Sequence, residues 1–147
     1  MDTPPGGYIT STSTGVAFTT FELSNTASST ENIILDLLAV TNFGTSSTTP
    51  HVFSELYLYE DDTLIASTTI AYGINTAVFK DVNYVLPTST TVALTVRGDL
   101  GSGATPGHTI RMGLNDQNSI KAIGSSTGSS TIITGYFPII GNTFTIY

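Results

Sequence analysis

The ionisable chemistry of this 147-residue chain is sparse: 11 acids, four bases and two histidines, with no cysteine. Nucleophilic catalysis needs a base held beside the nucleophile. The only histidines are His51, which follows Pro50, and His108, which follows Pro106-Gly107. Both read as loop positions, and no Gly-x-Ser-x-Gly elbow leads into a helix. Glycoside hydrolysis needs paired carboxylates. Glu22, Glu31, Asp36, Glu55, Asp81, Asp99 and Asp116 fall on different segments with no pairing in the sequence. Asp36 stands out because it interrupts an apolar run. Its plain reading is an outward or hydrogen-bonded carboxylate, since no partner acid accompanies it. The expectation is a protein that is not an enzyme.

Binding chemistry has more to work with. Glu60-Asp61-Asp62 is the densest acidic cluster and the best candidate for calcium, which takes oxygen ligands. Asn115-Asp116-Gln117-Asn118 is a second oxygen-rich loop, and neither has the helix-loop-helix calcium spacing. Acid-rich hairpin tips also occur simply for turn geometry. Tyr57 and Tyr59 share one strand face and could stack a glycan, or could equally pack across strands. Arg97-Gly98-Asp99 spells an integrin-recognition tripeptide, but such a short match arises readily by coincidence. At the ends, Thr143 to Tyr147 alternates as a strand, and the arm from Gly7 to Val16 is extended and uncharged. Phe144 and Ile146, with Tyr8 and Ile9, are therefore the candidates for assembly: a terminal strand either closes its own sheet or completes a neighbour's.

The elements that must position these residues are strands. Apolar residues make up 39% of the chain and charged residues only 10%, against a usual share of about a quarter. Serine and threonine fill the gap with 43 positions. Threonine suits a half-buried pleated strand and serine suits turns, whereas no Glu/Lys-rich stretch could form a solvated helix face. The net charge of −7 and four scattered bases disfavour nucleic acid and an anionic membrane surface. No apolar run reaches the ~18 residues of a membrane span, so direct membrane insertion is not expected. The hydroxyl-rich, lysine-poor composition points to an extracellular or cell-surface location. The opening Met1 to Gly7 is neither basic nor apolar and so is not a signal peptide; if the protein is exported, the expectation is that its leader has been removed and that Met1 is an added start residue.

Strand-like segments recur between Gly, Pro, Asn and Ser clusters, the pattern of an all-β sandwich or barrel. The spacing predicts strands from Gly15 to Leu23 and from Asn32 to Val40, and a hairpin of Phe53 to Tyr59 with Leu64 to Tyr72. Further strands are predicted at 77–79, 84–86, 91–100 and 109–114, around Ile120 and Ile123, at 132–137 and at 143–147. The change of parity between Phe18 and Phe21 predicts a bulge near Thr19-Thr20. Asn32 to Val40 is leucine-rich enough to read as a helix, but its length and β-branched residues favour a central strand. Gly124 to Ser130 reads as a flexible loop. The chain is expected to form one domain over residues 1–147, with an extended arm at 1–14.

Three segments carry a resemblance. Leu38 to Gly44 ends a strand in an Asn-x-Gly turn, Glu55 to Ala66 forms a Leu-Tyr-acid-turn-Leu-Ile hairpin, and Thr90 to Leu114 contains Leu-Thr-Val-x-x-Asp-Leu followed by Ala-Thr-x-Gly-x-Thr-Ile. In that order they resemble Ig-like β-sandwich domains of large bacterial surface proteins of the surface-layer and adhesin type. The resemblance spans roughly Asn32 to Ile123 and implies a two-sheet Ig-like sandwich of about ten short antiparallel strands. It also implies an extracellular scaffolding role, and it carries no catalytic residues. The expected function is a non-catalytic building block of a surface layer, stalk or filament, joined by strand edges or sheet faces to itself or to other surface proteins. The alternative is an adhesin module for a glycan or receptor. No cofactor is expected, apart from the calcium considered above.

Overall fold

The computed structural model describes residues 3–25, 31–70 and 75–147. These form thirteen strands, with one 3-10 turn at Gln117–Ser119 and no α-helix among the described residues. The fold class is all-β, built as facing sheets around one core.

One layer contains β2 (Val16–Asn25), β8 (Thr90–Leu100), β4 (Phe53–Glu60) and β5 (Thr63–Thr68), in that spatial order and antiparallel throughout. The opposing layer is organised on β3 (Ile33–Asn42). One side of β3 carries β6 (Thr76–Phe79) and β7 (Tyr84–Leu86). Its other side carries β10 (Met112–Leu114) and β11 (Ile120–Gly124), and β12 (Ile139–Ile140) lies outside β10. The chain just before β10 changes neighbours. β9 (Thr109–Ile110) pairs with β13 (Phe144–Ile146), and β1 (Gly7–Ile9) adds to β13 in parallel. Arg111 marks the change: its N–H bonds the Asn42 side chain and its carbonyl accepts from Phe43.

Strand patterning explains the core. Leu56 and Leu58 on β4 and Leu94 and Val96 on β8 alternate inward and are fully buried. They face Leu38, Val40, Phe79, Met112 and Leu114 of the opposite layer in a single cluster. Each such side chain contributes about 1.5–3 kcal/mol by leaving water. Phe18 and Phe21 are both buried although their spacing breaks period two. The β2–β8 register shifts between Ala17 and Thr19, so the expected bulge centres on Phe18 and lets both rings turn inward.

The leucine-rich run is the central strand β3, as expected. Asp36 fits within it because the flanking ladders break there. β6 ends opposite Leu38, β7 begins opposite Leu35, and β11 shifts register between its partners Leu37 and Leu35. The half-buried Asp36 keeps a carbonyl bond from Val82 N–H.

Two expectations are corrected. Residues 132–137 are not a strand: Ile132 and Tyr136 are almost fully exposed, and the pairing resumes only at β12. Apolar content alone suggested a strand there, but the edge it could join is taken at Thr131, whose N–H bonds Ala122 O. The sheet is also not wholly antiparallel, since β1 and β13 run parallel. Tyr72, the expected end of the hairpin, lies outside the described residues.

Candidate functional site

The acidic hairpin tip disperses its carboxylates. Glu60 and Thr63 close the β4–β5 ladder, and Asp61 takes a left-handed conformation that aspartate tolerates. Glu60 accepts a hydrogen bond from Tyr84 Oη at 2.5 Å. Asp62 lies 4.0 Å from the Arg97 guanidinium, fully in solvent. Among the described residues no group of three His, Cys, Asp or Glu side chains is placed to hold a metal. Glu60, Asp61 and Asp62 thus form a turn in which Glu60 meets Tyr84, Asp62 meets Arg97 and the Asp61 carbonyl accepts from Arg97. Asp116 likewise has a local job, capping the 3-10 turn by accepting from Asn118 N–H at 2.8 Å.

Tyr57 and Tyr59 lie together on the outward face of the β2–β8–β4–β5 sheet, ring centres 6.3 Å apart but tilted by 65°. Tyr57 Oη donates to Asp99 Oδ2 at 2.8 Å, and Gly15 N–H donates to Asp99 Oδ1 at 2.7 Å. The carboxylate hydrogen bond, with desolvation adding to it, pushes the Tyr57 phenol up to about 12. The Arg97 guanidinium covers the Tyr59 ring at 4.7 Å and reaches the Asp61 carbonyl at 3.4 Å. Sugar stacking needs an open, flat ring face. Here the two rings are steeply inclined to each other, and the Tyr59 ring carries the Arg97 guanidinium from the neighbouring strand. Arg97-Gly98-Asp99 sits within β8, with Arg97 and Gly98 paired on both sides and Asp99 paired with Glu55 of β4, and not on a loop tip.

The chain ends meet. Phe144 and Ile146 are buried, and Phe144 packs edge-on against Phe18 at 5.2 Å. These two side chains close the protein's own core and are not the atoms offered to a neighbour. Tyr8 and Tyr147, by contrast, are 77% and 65% exposed and contact each other at 6.3 Å. Ile9 is half-buried against the core. Gly7 N–H bonds Thr143 O, and Tyr147 N–H bonds Ile9 O. In a parallel ladder, that alternation turns the N–H and C=O of Tyr8 away from β13, to the outer edge. Residues 3–21 and 122–147 contain no Asp, Glu, Lys or Arg. Folding brings these two charge-free stretches side by side at β1–β13. Of the candidates singled out in the sequence, Phe144 and Ile146 face inward and Tyr8 faces outward, a parity that depends on the partner sheet.

A feature that sequence inspection missed lies at the opposite edge of β2. A cleft of about 470 Å³ opens between β2 and the β3–β11 region, with residues 131–139 along one wall. Its lining is mostly apolar, with Phe21, Leu35, Leu114 and Ile120 at depth. The signal for it was faint: an apolar segment, Ile132 to Phe137, without the alternation that a paired strand requires.

No known protein family matches the chain, and a search of curated proteins finds no similar sequence.

Proposed function

We propose that this chain is a non-catalytic building block of an extracellular assembly, such as a surface layer, stalk or filament, joined through strand edges. The observation that carries the reading is the outer edge of β1. It offers the Tyr8 backbone groups, two exposed tyrosines and no charge within residues 3–21 or 122–147. Monomeric sheet proteins usually guard such edges with lysine, proline or a bulge. Interface centres are depleted of charge and enriched in tyrosine, as this edge is. The Ig-like kinship follows from the sequence resemblance, and the cell-surface location from that resemblance together with the hydroxyl-rich, lysine-poor composition.

The test is light scattering and negative-stain microscopy of the purified protein over a concentration series, beside Tyr8→Pro. Proline removes the outward N–H of residue 8 while the bonds from Gly7 and to Ile9 remain. Concentration-dependent oligomers or filaments that weaken at least tenfold in Tyr8→Pro are expected. A wild-type protein that stays monomeric at every concentration would sink the proposal. The glycan-module alternative has less support, because Arg97 already lies over the Tyr59 ring and the two rings do not share a plane.

A further inference from the structure

We infer that the cleft beside β2 and the segment along its wall, residues 132–137, form one self-complementary face, through which two copies of this chain dimerise around a two-fold axis. The cleft, of about 470 Å³, is mostly apolar, with Phe21, Leu35, Leu114 and Ile120 at depth. Close-packed interiors hold few voids larger than a water molecule, so a hollow of this size between two sheets calls for an occupant. Beside the hollow stands a projection. Four of the six residues from Ile132 to Phe137 are large and apolar. Ile133 and Phe137 pack against the protein's own core, whereas Ile132 at the rim is 86% exposed and Tyr136 is 97% exposed.

Three observations select a second copy as the occupant. The first is shape. Tyr136 stands outside the cleft lining, so a small ligand filling the hollow would leave that ring in water. A two-fold axis at the cleft mouth instead sets each copy's projection over the other's hollow, and one pairing covers both. The second is backbone chemistry. Residues 132–137 are tied at their flanks, by Thr131 N–H to Ala122 O and Gly141 N–H to Met112 O, and between those points make no backbone–backbone hydrogen bond among the described residues. Their peptide groups need partners once buried. Ser24, on the opposite wall, has them to give. Thr20 N–H bonds Thr3 Oγ1 on the side away from β8, and the two-residue repeat turns the Ser24 N–H and C=O the same way, toward the cleft that Ser24 lines. A polypeptide satisfies those groups and an alkyl chain does not. The third is charge. Each copy carries −7, yet residues 122–147 contain no Asp, Glu, Lys or Arg, so the projection enters without bringing an acid with it. Charge depletion with an exposed tyrosine is the composition of an interface centre. The face also supplies what the β1 edge lacks. An edge that pairs with its own copy around a two-fold stops at a dimer, and a second face lets the chain of subunits continue.

The test is sedimentation velocity of the Tyr8→Pro protein, whose strand edge is blocked, over a concentration series. A reversible dimer is expected. Adding Tyr136→Asp should weaken that dimer at least tenfold with the melting temperature of the monomer unchanged, because the ring it replaces lies in solvent within one copy. The chain has no cysteine, so a Ser24→Cys protein mixed with an Ile132→Cys protein reports the seating directly. Any disulfide joining the two is between copies, and oxidation should give the mixed pair in clear excess over random proportions. A Tyr8→Pro protein that stays monomeric at every concentration overturns the inference, as does a dimer indifferent to Tyr136→Asp or a random yield of mixed disulfide. Saturable uptake of the apolar fluorophore N-phenyl-1-naphthylamine by such a monomer would assign the cleft to a small ligand instead. The two interfaces are separable. A wild type unchanged by Tyr8→Pro but dispersed by Tyr136→Asp would uphold this face and remove the strand-edge reading, and the reverse pattern would do the opposite.

Discussion

At the residue scale, the positions that looked chemically promising are held by structural duties. Asp99 receives Tyr57 Oη and Gly15 N–H, and Glu60 receives Tyr84 Oη. A phenol whose folded pKa is raised stabilises the fold fully below its ordinary value near 10, and that contribution is lost as pH rises through its folded value. For Tyr57 the window runs from about 10 to about 12. Tyr84 is also shifted upward, first by burial and then by Glu60. Ultraviolet titration of the phenolates should therefore show a late-ionising fraction that shrinks in Tyr57→Phe. A single titration step near 10 for all tyrosines would contradict this. Gly98 shows the same economy of space. A Cβ there would lie 2.7 Å from Leu56 Cδ2 and 3.1 Å from Phe18. Gly98→Ala should cost about 1–3 kcal/mol by overpacking, read as a lower urea midpoint at constant slope. An unchanged midpoint would mean that β4 and β8 have more room than their register implies.

At the element scale, the segment from Gly124 to Ser130 differs most from its reading as a flexible loop. The Glu31 carboxylate accepts hydrogen bonds from Ser126 N–H, Thr127 N–H and Thr127 Oγ1 at 2.8, 3.1 and 2.9 Å. Ser129 O and Gly124 O add backbone bonds within the turn. The Ser126 amide first, then the Thr127 hydroxyl, hold the Glu31 carboxyl below its ordinary value. A depressed carboxylate lends stability above its unfolded pKa and loses it as pH falls through the folded one. The protection factors of the Ser126 and Thr127 amides, which correct for the intrinsic pH dependence of exchange, should be high near neutrality and fall as acidification protonates the Glu31 carboxylate. In Glu31→Gln their protection should be low at both pH values. Protection that ignores both changes would assign the loop's order to its backbone alone. Composition could not reveal this clamp, since Glu31 and Thr127 lie 96 residues apart in the chain. The bulge at Phe18 and the strand character of β3 were legible because parity and β-branching are local. The failed strand at 132–137 was not, because whether an apolar run pairs depends on whether an edge is open to receive it.

At the scale of the whole molecule, charge distribution governs association. The net charge is −7, yet the β1–β13 edge draws on stretches without charged side chains. Two copies meeting there repel through their distant charges and gain nothing from ion pairs. Added salt should therefore strengthen self-association, as should lowering the pH toward the sequence pI of about 4.3. Sedimentation at low and high ionic strength measures it. Association that weakens with salt would indicate an ion-paired interface elsewhere and remove β1 from consideration.

Period-two patterning, turn residues and the shortage of helix formers determined, by themselves, an all-β chain with a leucine-rich central strand and an apolar Leu56/Leu58 face. These are local properties, set by how successive side chains alternate and by which residues tolerate turns. The tertiary structure alone decided which face of β13 is buried, that β1 joins it in parallel, that the acidic tip is dispersed, and that a cleft opens beside β2. Each of those depends on which distant segment becomes a neighbour, and hydrogen-bond partners and packing volume exist only once the sheets have met.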